Sequence, residues 1–174
     1  MAELSPKERL QPSLLDRLTD DEPDEQEESR DRRVLSMSQL RQSVLRDVGW
    51  LLNTRSLESV RKLDDYPETA VSVLNFGIRD LSGAAVTGLD PGLLEHRMRE
   101  AIRCFEPRIL PDSLRVRVLA EEGRMNQAAL VFAIEGELWA QPLPLHLYIR
   151  SEVDRETGDV KLGAVHGTQA AAVL

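Results

Sequence analysis

One amphipathic helix, stopped by a proline and followed by strands, restricts this chain more than any other feature. Leu94, Met98, Ala101, Ile102 and Phe105 fall at i, i+4, i+7, i+8 and i+11, a continuous apolar stripe at helical spacing. Glu95, Arg99, Glu100 and Arg103 occupy the opposite side, so one face packs and the other is solvated. Asp90 can cap the free amides, and Pro91 at the first helical position loses no hydrogen bond. Pro107 ends the helix, because it pushes Glu106 out of the α region. Glu106 then sits at the negative end of the helix dipole, and Arg108 is the cation placed to compensate. On chemistry alone Glu106-Pro107-Arg108 reads as an exposed, proline-stiffened ion pair between a helix and a sheet, and exposed pairs are worth little.

After that corner the period changes from 3.6 to 2. Leu114, Val116 and Val118 alternate with Arg115 and Arg117. Leu130, Phe132 and Ile134 form a second run, and Leu145, Leu147 and Ile149 a third, with His146, Tyr148 and Arg150 between them. Val160-Lys161-Leu162 makes a short fourth strand after a turn-rich segment from Asp154 to Asp159. Consecutive short strands without helices between them favour an antiparallel sheet. The expectation is an α+β domain, with N-terminal helices packed on a small antiparallel or mixed sheet.

Ahead of the central helix, Ser36-Met-Ser-Gln39 is a capping box, with Leu35 and Leu40 placed as a hydrophobic staple. Leu40, Val44, Val48, Leu51 and Leu52 give the stripe of a helix from Ser36 to about Asn53. A shorter helix is expected over Leu57 to Leu63, and Asp64-Asp65-Tyr66-Pro67 is a turn. Val71 to Phe76, closed by Gly77, is apolar but too short to divide between a helical turn and a buried strand. Residues 80–88 read as loop.

The 174 residues divide into four parts: an arm over 1–19, an acidic linker over 20–35, a domain over 36–162 and a patternless tail over 163–174. In the arm, Leu14, Leu15 and Leu18 follow Pro12 and Ser13 and suit a short amphipathic helix. Such a piece is too short to hold alone and must dock on its own domain or on a partner. The first 35 residues carry 11 acidic and 6 basic residues, a net of −5, against 19 and 16 beyond them, a net of −3. Seven of the nine residues from Asp20 to Glu28 are acidic, and self-repulsion makes that stretch a flexible spacer.

Chemistry is hard to find. A net charge of −8 and 4% aromatic residues disfavour nucleic acid. His96, His146 and His166 lack metal-ligand spacing, the ten glycines form no phosphate loop, and no nucleophile elbow occurs. Cys104 stands alone beside Phe105 and is expected to be a buried structural thiol. A glycosidase needs two differently tuned carboxylates; Glu106 has no persuasive second, and Arg108 favours its ionised form, the wrong state for a general acid. No apolar run approaches the ~20 residues of a membrane span or makes a signal peptide, so a soluble cytoplasmic protein without metal or cofactor is expected.

Four motifs carry a resemblance: Pro12-Ser-Leu-Leu-Asp-Arg-Leu18, Val48-Gly-Trp-Leu-Leu-Asn53, Ser72-Val-Leu-Asn-Phe-Gly77 and Glu106-Pro107-Arg108. Together, over residues 12 to 162, they resemble the TssE family of type VI secretion baseplate subunits. That family is similar to the wedge protein of contractile phage tails and is labelled "lysozyme-like" despite lacking the activity. Phe76 and Arg79 depart from it, tyrosine and proline being frequent there. The resemblance implies a fold like part of a tail sheath subunit, no catalysis, and a place in the wedge with TssF and TssG, with TssK as a further candidate partner. It implies that Glu106, Pro107 and Arg108 contact the wedge, and that a sheet edge meets the TssB/TssC sheath by strand exchange. Leu14, Leu15 and Leu18 join the corner as expected partner-binding residues. The alternatives are a peptidoglycan hydrolase and a regulatory anti-adaptor of the same fold.

Overall fold

A computed structural model describes residues 13–19, 36–78, 91–119, 129–140, 144–154 and 157–164. The expected linker, the loop over 80–88, Asp90, Leu35, Arg79, His166 and most of the tail lie outside those residues.

Four helices precede four strands: α1 (Leu14–Leu18), α2 (Met37–Asn53), α3 (Pro67–Ala70), α4 (Pro91–Phe105), β1 (Arg115–Leu119), β2 (Ala129–Leu138), β3 (Leu145–Asp154) and β4 (Val160–Ala164). The α2 capping box forms as the sequence predicts: Gln39 N–H donates to Ser36 Oγ, and the Gln39 side chain accepts from Ser36 N–H at 2.8 Å. Both satisfy amides that the first helical turn leaves without partners.

The strands form one sheet in the order β1-β2-β3-β4, with antiparallel neighbours throughout. Register places Val116, Ile134 and Ile149 in one row across the sheet, and Val118, Phe132, Ser151 and Leu162 in the next but one. These alternate residues share a face because successive side chains on a strand point oppositely. Leu40, Val44, Val48, Leu51 and Leu52 of α2, with Leu94, Met98 and Ile102 of α4, pack against that face as a single core. The α+β class read from the sequence is what the chain adopts.

Each sheet edge receives one polar side chain from a helix. Glu95 of α4 accepts from Val118 N–H on β1 at 2.7 Å. At the opposite edge, Asn53 at the end of α2 binds Val160 of β4 twice, accepting from its N–H at 2.8 Å and donating to its carbonyl at 2.9 Å. Both contacts satisfy edge groups that would otherwise invite another strand.

Three local expectations give way. Only Leu57–Ser59 is helical in the stretch expected to reach Leu63, and it is a 3₁₀ turn. Val73–Asn75, left open between a helical turn and a buried strand, is a 3₁₀ turn, with Val71, Val73 and Leu74 turned to solvent. Cys104 is exposed, because it falls on the solvated side of the α4 stripe. β4 runs on to Ala164, two residues past the expected end of the domain. Gly77 makes the short connection possible: its φ is +125°, and a Cβ there would meet the Thr54 carbonyl oxygen at 2.4 Å.

Candidate functional site

The corner after α4 is not a solvated display. Glu106 is 3% exposed, and Arg108 binds it along its edge: Nε donates to Oε1 at 2.6 Å and Nη2 to Oε2 at 2.5 Å. The Arg108 amide adds a third bond to Oε1, at 3.2 Å. Pro107 supplies the turn that brings residues two apart into this grip, and is itself exposed. Such a bidentate pair is directional as well as strong, unlike the loose surface pair the sequence suggested.

α2 completes the arrangement. Arg108 Nη1 donates to Ser43 Oγ at 3.2 Å, and Nη2 donates to Asp47 Oδ2 at 2.5 Å. Ser43 and Asp47 lie one helical turn apart, so they meet the guanidinium from the same face of α2. Half-burial works against the charge on Arg108. Glu106 and then Asp47 outweigh it and raise the pKa, so the group is held charged. Of its five N–H donors, four are committed to Glu106, Ser43 and Asp47. One remains on Nη1, in a side chain that is 24% exposed.

The ion-pair chain continues to the arm. Arg46 Nε donates to the second oxygen of Asp47 at 2.8 Å, and Arg46 Nη1 donates to Asp16 Oδ1 on α1. Arg46 Nη2 lies 2.8 Å from Asp47 Oδ1 without hydrogen-bond geometry, so that contact is coulombic only. Its guanidinium also stands 5.1 Å from the Trp50 ring centre. Asp16 and then Asp47 raise the Arg46 pKa, so this cation too is permanent. Ser13 caps α1, its hydroxyl meeting both Asp16 N–H and the Asp16 carboxylate.

α1 therefore docks with its polar side inward. Leu14, Leu15 and Leu18 face away, 70%, 44% and 74% exposed. This is the reverse of what amphipathicity normally arranges, and it answers the question of where the arm's leucines point. Residues 14–18 and 106–108, some ninety positions apart, are joined on one side of the molecule through Ser43, Arg46 and Asp47. The sequence reading missed those three. They sit on an α2 face adjoining the apolar stripe, where polar residues are ordinary, so no local pattern marked them.

Partial burial pushes the Asp16 carboxyl up, but hydrogen bonds from Arg46 and Ser13 outweigh it and hold it below the ordinary value of 3.8. A depressed folded pKa contributes stability that is complete above 3.8 and is lost as pH falls through the folded value. Protection of the amides at residues 14–18, taken relative to the intrinsic exchange rate at each pH, should therefore be constant from neutral pH down to about 4 and fall in stronger acid. Asp16→Asn should exchange fast at neutral pH and show no acid transition.

Among the described residues no group of three or more His, Cys, Asp or Glu side chains is arranged to hold a metal ion, and no helix is long and apolar enough to cross a membrane. No curated protein matches the chain. In a crystal structure from Geobacter sulfurreducens, provisionally described as a tail lysozyme, 98% of the chain aligns with 78% of this one, at 19% identity and a TM-score of 0.42. The family model of the baseplate wedge protein gp25 matches residues 38–143, which take in α2, the α4 stripe, the Glu106–Arg108 corner and the first two strands. The chain belongs to the family of the baseplate wedge protein gp25, the group whose motifs it resembles in sequence.

Proposed function

We propose that this chain is a non-catalytic structural component of a type VI secretion baseplate, working in the cytoplasm to join the wedge complex to the first ring of the contractile sheath. One observation carries the reading: the arm and the corner are fixed on one face, with three leucines presented outward. Wedge proteins of the TssF and TssG type are the partners proposed for that face, with TssK as a further candidate. Leu14, Leu15 and Leu18 supply its apolar contact. Pro107 and the remaining Nη1 donor of Arg108 supply its polar end, while Glu106 contributes from behind by holding Arg108 in place.

Lysis of cell wall is the competing reading, given the label borne by similar proteins. Glu106 fits it poorly, because both its oxygens are occupied by Arg108 and the nearest carboxylate in the chain of contacts, Asp47, is itself bound by two arginines. Purified protein should leave a peptidoglycan suspension turbid. Clearing that Glu106→Gln abolishes would overturn the non-catalytic assignment.

The TssB/TssC sheath is the partner proposed for the β4 edge. Asp154 N–H pairs with the Asp159 carbonyl, and by antiparallel alternation the amides of Val160, Leu162 and Ala164 then point away from β3. Asn53 takes the first of these and leaves the end of the strand for an incoming chain. Ala164→Pro removes one outward donor without touching a ladder bond. It should block sheath extension at unchanged melting temperature; normal extension would count against strand exchange there.

A further inference from the structure

The leucine arm is not the only apolar surface without cover. Val71, Val73 and Leu74 are 64%, 81% and 70% exposed, in the apolar stretch that the sequence left between a helical turn and a buried strand. They stand on a segment built from inside. Asn75 is buried, accepts from Glu58 N–H at 3.0 Å and donates to the Ala70 carbonyl at 2.9 Å. Ser72 Oγ accepts from Leu74 N–H and donates to the Thr69 carbonyl at 3.0 Å. Phe76 is pinned from below by Phe105, edge to face at 5.4 Å. A polar scaffold this complete fixes three aliphatic side chains in solvent, where loose loop residues would turn them inward.

Beside this ridge lies an open cleft of about 290 Å³, lined by Val71, Ala101, Cys104 and Phe105 among others. The Cys104 thiol reaches the Val71 carbonyl at 3.6 Å, tying α4 to the ridge. We infer that the ridge of Val71, Val73 and Leu74, with the cleft beside it, is a second docking surface, whose occupant is the apolar face of a helix from another baseplate protein. The inference rests on the reading of the chain as an assembly component.

Two observations choose that occupant. The amides of Ser72, Leu74, Asn75 and Phe76 are all bonded within the segment, so the surface offers side chains and cannot receive an added strand. Glu58 and Glu100 on the cleft wall face Arg97, which leaves a net of one negative charge, so a strongly charged partner gains little there. Three aliphatic side chains and a shallow cleft also fall well short of the ~800 Å² per partner that a free-standing complex buries. A second copy of this chain would not be held by so small a patch. A helix belonging to a protein already tethered elsewhere in the assembly would, because the contact is then intramolecular in effect.

Photoreactive benzoylphenylalanine placed at position 73, and separately at 18, in cells assembling the baseplate would test this, with crosslinked peptides read by mass spectrometry. Position 73 should join a peptide of another baseplate protein whose apolar residues recur at helical spacing. With the probe moved to position 71, Val73→Asp together with Leu74→Asp should lower that crosslink at least tenfold, at unchanged melting temperature. Crosslinks to this chain's own residues 79–90, to a second copy, or to a partner segment without helical spacing would overturn the inference, as would an undiminished crosslink in the aspartate variant. No crosslink at 73 with one at 18 sinks this surface alone. Silence at both positions sinks the assembly reading beneath it.

Discussion

Arg108→Ala should destabilise the domain by about 3–5 kcal/mol, because it leaves a buried carboxylate with no cation. For a chain of this size that corresponds to a fall of roughly 6–20 °C in melting temperature. Glu106 has almost no water to turn to, and its remaining bond, from the amide of residue 108, is the longest of the three. Ser43 and Asp47 also lose a donor, although Asp47 keeps Arg46. An exposed pair would behave otherwise, with a loss of at most ~1 kcal/mol. The two cases separate further in the double variant. Arg108→Met combined with Glu106→Leu removes the stranded charge along with the pair, and should be more stable than Arg108→Ala alone. A wild-type melting temperature for Arg108→Ala would mean that Glu106 is solvated and that the corner is held by something else.

The largest effect on binding is expected from the arm. Leu14, Leu15 and Leu18 changed together to alanine should weaken association with wedge proteins by about 30- to 5,000-fold. Together they expose nearly two leucines' worth of surface, and burying a leucine is worth about 1.5–3 kcal/mol. Discounting what alanine still buries leaves about 2–5 kcal/mol, at ~1.4 kcal/mol per tenfold. Alanine keeps the helix propensity, and none of the three leucines belongs to the core. Stability should therefore be unchanged. The comparison with Arg108 is informative, since most of that guanidinium's donors are spent inside the protein. Equilibrium titration of the variant with purified wedge proteins, beside a thermal melt, separates the two quantities. Full affinity with the three leucines gone would move the interface elsewhere.

What was legible in the sequence was whatever a period reports. The stripes of α2 and α4 and the alternation of β1, β2 and β3 each name one buried face, and those faces meet in the core. The capping box was legible because it is local. Ion-pair networks are not: Asp16, Arg46, Asp47 and Arg108 come from three separate segments, and no spacing in the chain announces that they will touch. The same limit explains Glu106. Its place at a helix end beside a proline suggested exposure, but Ser43 and Asp47 of α2 hold the Arg108 that grips it, and a helix arriving from sixty residues away leaves no mark on the local pattern. Val71, Val73 and Leu74 show the converse. Apolar composition left a helical turn and a buried strand both open, and Asn75 and Ser72 fix the turn, which holds those side chains outside.

The central claim is that arm and corner form one binding face, and hydrogen exchange on the chain alone and bound in the wedge tests it most directly. In the free protein α1 is a five-residue helix tethered by the Asp16–Arg46 ion pair, so its amides should exchange ahead of the core. On binding, residues 14–18 should gain protection together with 107–109, while the sheet centre around Phe132 and Ile149 stays as it was. Exchange at 14–18 that is equally fast in both states, with protection appearing only elsewhere, would contradict the account.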